Sequence, residues 1–216
     1  WSVMEQLKNE KEVVGVYISG HPLDDYKIEI KSFCNSTVAQ LETRPNSLQS
    51  FAGIVTKMQT RTAGNGNQFM IFSIEDLTGT YEFALFSKDY LEFERYVQPD
   101  RLLFVQGTYQ AKNKYSDQMT FKISFMELLS EVLEDRAKEL RMTFNIKDMN
   151  QATYESVAEI LEENKGNKKL IMEVYDEEAK ISLELLSRKS QVNITKKLIK
   201  QLDTLENVNF KLISKN

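Results

Sequence analysis

FAGIVTKMQTRTAGNGNQFMIFSIEDLTGTYEFALF, residues Phe51 to Phe86, decides the fold. Apolar residues recur there at every second position, the period of a half-buried strand, and the breaks fall at turn-forming residues. Phe51 to Arg61 reads as a first strand, and Thr62-Ala63-Gly64-Asn65-Gly66-Asn67 supplies the glycines and asparagines of a hairpin loop. Gln68 to Asp76 forms a second strand, Leu77-Thr78-Gly79 a turn, and Thr80 to Phe86 a third strand. Ser87 to Phe93 follows as a short helix with Ser87 in position to cap it. After Pro99-Asp100 come two longer strands, Arg101 to Ala111 and Gln118 to Leu128, joined by the polar loop Lys112 to Asp117. Three strands, a helix and two strands is the element order of a five-stranded Greek-key OB barrel.

On either side the pattern changes. Val3, Leu7, Val13, Val14 and Tyr17 lie at loosely helical spacing, and Gly20-His21-Pro22-Leu23 stops the run before Asp24-Asp25 starts a second short helix. The proline-containing stretch Thr43 to Ser47 reads as a linker. Beyond Leu129 the chain reads strand (Leu140 to Ile146), helix (Asn150 to Asn164), a Lys165-Gly166-Asn167 turn with a glycine cap, strand (Lys169 to Tyr175), strand (Lys180 to Leu186), a helix from Thr195, and strand (Val208 to Ile213). That βαββαβ order is the order of a split-βαβ, ferredoxin-like sandwich. The expected organisation is therefore mixed α+β in three parts: a helical lead-in over 1–48, an OB barrel over 49–132 and a ferredoxin-like domain over 133–216.

Composition narrows the chemistry. The 28 Lys and Arg against 32 Asp and Glu give a net charge of -4, and the three parts (1–50, 51–130, 131–216) carry -2, -1 and -1, so no segment is a charged tail. The gross basic excess of many nucleic-acid binders is missing, which weakens a nucleic-acid reading without excluding it. Of the 22 aromatic residues, 14 fall between Phe51 and Phe125, so the middle segment has its own kind of core. One cysteine and one histidine exclude an internal disulfide and a Cys/His zinc finger, and neither sits in a catalytic signature. No stretch approaches the roughly 18 apolar residues of a membrane span. A cytoplasmic location is expected from the single thiol, and the start at Trp1 suggests a piece of something longer.

Two phrases carry a resemblance. Glu10-Lys11-Glu12-Val13-Val14-Gly15-Val16-Tyr17-Ile18-Ser19-Gly20-His21-Pro22-Leu23-Asp24 closely resembles the sequence preceding the OB domain in the alpha subunit of bacterial DNA polymerase III, and Gly66 to Gly79 is similar to that family's second OB strand and turn. The βαββαβ tail is similar in order and position to the family's C-terminal region, which in some members binds the clamp-loader tau subunit. The resemblance implies the non-catalytic C-terminal part of a DNA-directed DNA polymerase, a nucleotidyltransferase whose catalytic aspartate motifs have no match here. No cofactor is expected in this stretch. Its implied partners are single-stranded DNA, the rest of the polymerase alpha chain and the clamp-loader tau subunit. The family often places a base in the hairpin before the second strand, whereas Arg61 is followed by none up to Gln68, which implies fewer phosphate contacts.

The OB ligand face lies across strands two and three, flanked by the first and fourth loops. With Met70, Phe72 and Ile74 inward, Phe69, Ile71 and Ser73 point outward and Phe69 becomes a stacking platform; a phase shifted by one residue exchanges the roles of Phe69 and Phe72. Lys57 and Arg61, four apart on one strand, share a face; with Lys112, Lys114 and Lys122 they are expected to form a phosphate-tracking stripe, and Tyr115 a second stacking group. Asp76 is expected to accept hydrogen bonds from its own turn rather than to hold a metal, and His21 to be a hydrogen-bonding turn residue. The rival to strand binding is a docking module that touches only protein.

Overall fold

The computed structural model describes residues 3–15, 17–112, 117–187, 191–205 and 207–214, and of Val3, Met4, Lys8 and Leu186 the backbone alone. The chain divides into two compact units, Trp1–Ser130 and Glu131–Asn216. In the first, β1 (Leu48–Thr62), β2 (Gln68–Asp76), β3 (Gly79–Phe86), β4 (Leu102–Ala111) and β5 (Met119–Leu128) form one antiparallel sheet in the order β3-β2-β1-β4-β5. That is the expected OB arrangement. The first helices are α1 (Val3–Val14) and α2 (Lys27–Phe33), and α3 (Ser87–Phe93) lies between β3 and β4.

β1 is long because it works twice. Its first half pairs with β4 (Phe51 opposite Val105) and its second with β2 (Arg61 opposite Phe69), and Ile54 faces a partner on both sides. A strand can change partners in this way only by coiling sharply, and an irregularity between Val55 and Lys57 adds bend. Gly53 permits the close approach: a Cβ there would lie 2.3 Å from Ile74 Cγ2 and 2.7 Å from the Glu75 carbonyl oxygen. Gly107 on β4 plays the same part against the Lys122 carbonyl, at a second irregularity beside Gln106.

The curved sheet encloses an aromatic core. Phe83 is stacked on Phe51 (5.7 Å) and Phe72 (5.4 Å) and meets Phe121 edge-on (5.7 Å), joining β1, β2, β3 and β5 through side chains. Among the described residues no ladder joins β3 to β5, so the barrel is closed along that seam by rings. From α3, Tyr90 and Phe93 pack into the same core. The cap expected from Ser87 is not made: Ser87 has φ +47°, Phe86 occupies the capping position, and no side chain bonds the helix start.

The stretch expected as a linker is stitched to the barrel. Gln49, fully buried, donates through Nε2 to the carbonyls of Leu41 (2.8 Å) and Arg44 (3.0 Å) and accepts from the Ser36 hydroxyl (2.8 Å). Ser50 donates to the Phe33 carbonyl (2.9 Å), and the Asn46 N–H to the Tyr109 carbonyl (2.8 Å). Buried polar groups cost stability unless bonded, so these bonds fix the lead-in on β1 and place it within the first unit.

The second unit contains α4 (Val132–Arg136), β6 (Ala137–Asn145), α5 (Gln151–Glu163), β7 (Lys165–Asp176), β8 (Ile181–Leu186), α6 (Lys196–Asp203) and β9 (Asn209–Ser214). Asn150 and Thr195 cap α5 and α6, accepting from the N–H groups of Thr153 (2.9 Å) and Leu198 (3.3 Å). The mixed α+β class and the βαββαβ order are as expected, but the βαβ is not split. The sheet order is β8-β7-β6-β9, so β6 and β7 lie side by side and parallel, with no strand between them. Lys165-Gly166-Asn167 is strand rather than turn. Gly166 is required by proximity instead of by a helix cap, since its Cβ would lie 2.4 Å from the Asn193 nitrogen, and Asn164 ends the helix by donating from Nδ2 to the Ile160 carbonyl (2.8 Å).

Gly53→Ala is expected to destabilise the first unit by at least about 2 kcal/mol, because backbone and a buried isoleucine both stand in the way. Gly64→Ala, with nothing within 4 Å of its added carbon, serves as the neutral control. Urea unfolding of both variants measures the difference.

Candidate nucleic-acid interface

Residues opposite one another in an antiparallel ladder share a face, so the register assembles the outer surface of β1, β2 and β3 row by row. Arg61, Phe69 and Phe86 form one row, Gln59, Ile71 and Ala84 the next, and Lys57, Ser73 and Glu82 the third, although Ser73, expected outward, is covered and buried. The opposite face holds Met70, Phe72 and Ile74, all at most 3% exposed, so the strand phase read from alternation is correct.

Phe69 is half-buried and stacks on Phe86 across the strands, with ring centroids 5.2 Å apart and planes inclined by 18°. Phe86 itself is 49% exposed, enough to offer ring surface. Arg61 lies beside this pair, its guanidinium held by Gln59 Oε1, which accepts from Nε at 3.0 Å and Nη2 at 2.7 Å. Lys57 is exposed two rows away, and Ile71 is half-buried between them. Phe86 was not among the expected stacking groups. It stands as far from the Leu77-Thr78 turn as Phe69 does, so counting outward along both strands of the hairpin would have found it.

The expected basic stripe divides. Lys57 and Arg61 belong to the β1–β3 face, whereas Lys122 on β5 pairs with Thr108, which in turn faces Leu48 at the far end of β1. Lys122 instead lines a groove of about 490 Å³ with Lys88, Asp89 and Glu92. Lys112 is exposed at the end of β4, its N–H donating to the Gln118 carbonyl (2.8 Å). Lys114 and Tyr115 lie outside the described residues.

The acidic pair Glu75-Asp76 is occupied by structure. Lys11 reaches Glu75 at 2.5 Å while its ammonium sits 4.6 Å from the Tyr17 ring centre. Asp76 Oδ1 accepts from the Thr78 N–H (2.7 Å), the Thr78 hydroxyl (2.6 Å) and the Gly79 N–H (3.1 Å), and Oδ2 from the Val38 N–H (2.8 Å). The expected turn role is thus met, with an added tie to the lead-in. Among the described residues no three His, Cys, Asp or Glu side chains gather as metal ligands, and no helix is long and apolar enough to cross a membrane.

The lead-in phrase is held by two capping devices. His21 Nδ1 accepts from the Leu23 N–H (3.1 Å) while Asp24 Oδ2 accepts from the His21 N–H (2.6 Å), a reciprocal box at the start of a 3-10 helix. Burial holds the imidazole below its ordinary value against the opposing pull of Glu75 and Asp24. Glu10 accepts from the Ser19 hydroxyl and from the N–H groups of Ser19 (2.9 Å) and Ile18 (3.0 Å), and these bonds, led by the hydroxyl, lower its carboxyl to about 2.

The first unit is an OB-fold module whose outer sheet face combines paired aromatic rings with basic residues, joined in one chain to a mixed four-stranded α+β unit. Residues 140–213 match the family described as DNA polymerase III alpha subunit, C-terminal domain. The DNA polymerase III subunit alpha of Pseudomonas fluorescens is 22% identical over 85% of this chain and 15% of its own length, and that of Aquifex aeolicus 32% identical over 73% and 13%. An alignment over 183 residues must include parts of both units. Residues 140–213 thus match that C-terminal domain, and the chain is similar over most of its length to DNA polymerase III alpha subunits, while spanning about 15% of the length of the curated relatives it matches. Among solved structures, a mitochondrial single-stranded DNA binding protein from S. cerevisiae, Rim1, is 18% identical over 38% of this chain and 95% of that one, at a TM-score of 0.30.

His21 is the sole histidine, so its titration is directly readable by NMR. Its folded value lies below 6.5, so its contribution to stability is complete above about pH 6.5 and is lost as pH falls through the folded value. The thermal midpoint of the first unit should therefore drop between pH 7 and pH 5. His21→Asn, which keeps an accepting cap but does not titrate, should lessen that drop.

Proposed function

We propose that the β1–β3 face binds single-stranded DNA without sequence preference and guides template strand within a DNA polymerase III alpha chain. The observation that carries this reading is the stacked pair of half-buried Phe69 and exposed Phe86 on an OB sheet face beside Arg61. Bases stack on aromatic rings whatever their identity, for about 1–3 kcal/mol each, while Arg61 and Lys57 supply the charge that tracks phosphate. Ile71 extends the apolar floor of the same face. Lys112 and Lys122, with Lys114 and Tyr115 of the fourth loop, would act as a separate contact farther along the strand.

Two basic residues on the platform, with Glu82 on the same face, support only weak affinity in isolation. In this reading the remainder of a longer alpha chain adds affinity and supplies nucleotidyl transfer, in the cytoplasm, and the chain needs no cofactor of its own. The second unit contributes to replisome assembly, with the clamp-loader tau subunit as its partner.

Fluorescence anisotropy with labelled oligo-dT at low salt tests the proposal. Phe69→Ala and Phe86→Ala should each weaken binding by about 5- to 150-fold. Arg61→Ala should reduce the slope of log affinity against log salt by about 0.7. Absence of binding at about 100 µM chain, a weak limit for nucleic-acid contacts, or unchanged affinity in all three variants, would defeat the reading in favour of a face that docks protein.

A further inference from the structure

The apolar face of the second sheet runs out past its cover. Met142 and Phe144 on β6 are buried, their β7 partners Met172 and Val174 are half-buried, and the β8 residues opposite those, Leu185 and Leu183, are 47% and 57% exposed. Ile181, in the same phase of β8, is 64% exposed. β8 is also an edge: among the described residues no strand pairs with its outer side. Edge strands are commonly protected by lysine, proline or a bulge. Ile181-Ser182-Leu183-Glu184-Leu185-Leu186 has no lysine or proline, pairs with β7 without a register shift, and its one charge is bonded to Arg141 Nη1 at 2.8 Å on the opposite face.

We infer that β8 pairs with β8 of a second copy of this chain, antiparallel and about a two-fold axis through Leu183. Symmetry and charge select this partner and register. A two-fold antiparallel pair centred on Leu183 sets Leu183 against its own copy, Ile181 against Leu185, and Ser182 against Glu184, so six apolar side chains meet on one face and no like charges face each other. Centring on Glu184 would oppose two carboxylates and place Ile181 against Ser187. The contact joins two four-stranded sheets into one of eight strands through an isologous interface. With six residues a side, against about 20–30 in a standard stable interface, it falls below that range, so the dimer is weak and concentration-dependent.

Sedimentation velocity of the full chain from about 1 to 300 µM, the range of weak association, should show a reversible monomer–dimer equilibrium. Leu183→Lys, at an exposed position, should abolish dimerisation and leave the circular dichroism melt unchanged. In a Cys34→Ser background, Leu183→Cys should form a disulfide-linked dimer under mild oxidation more readily than Ser182→Cys, because only residue 183 meets its own copy. A chain monomeric throughout the range overturns the inference and leaves the edge to a strand of another protein. A dimer indifferent to Leu183→Lys, or equal cross-linking at 182 and 183, overturns it as well. Neither result bears on the DNA-binding reading, which concerns the other unit.

Discussion

The approach of Gly53 to Ile74 and Glu75 is the constraint on which the first unit depends. A single strand can belong to both halves of a barrel only if its backbone comes within side-chain distance of the neighbouring strand where it turns. Once β1 coils there, its first half delivers Phe51 to the core and its second half carries Lys57 and Arg61 out beside β2. The aromatic core and the basic edge of the outer face are two results of one bend. The coil also exposes the start of β1 to the lead-in, where Gln49 and Ser50 need polar partners and find them in Leu41, Arg44, Ser36 and Phe33.

Much of the barrel is legible in the residues because its signals are local. Alternation from Gln68 to Asp76 sets which side chains face the core, and the Asn and Gly residues of the first loop and the Leu77-Thr78-Gly79 turn set the hairpins. Phe69 and Ile71 could be placed outward for that reason. What escaped depends on contacts between distant residues. Nothing near Thr43 to Ser47 announces that a buried glutamine will hold it, so a polar proline-containing stretch looks like a linker. Gly166 reads as a helix cap because glycine usually ends helices, yet here it makes room for Asn193, a residue 27 positions on.

The second unit shows a different limit. Element order constrains sheet order without determining it: one βαββαβ string suits a split unit and the observed neighbouring pair alike. Placing β7 directly beside β6 sends β8 to the outside, beyond the cover over the buried face of β6. Likewise the basic residues of the first unit look like one stripe when ordered along the chain. Paired in register, they fall at opposite ends of β1.

Among the described residues the barrel seam between β3 and β5 has no backbone ladder; it is spanned by Phe83 against Phe121 and by a hydrogen bond from the Phe121 backbone to Tyr81. A seam held by side chains rather than by a strand ladder can be repacked without breaking a strand pair. The girth of the barrel is then set by side-chain volume at a few positions. Related chains could drift in barrel width through substitutions at those rings alone, while the coiled first strand, and the surface it carries, keep their shape.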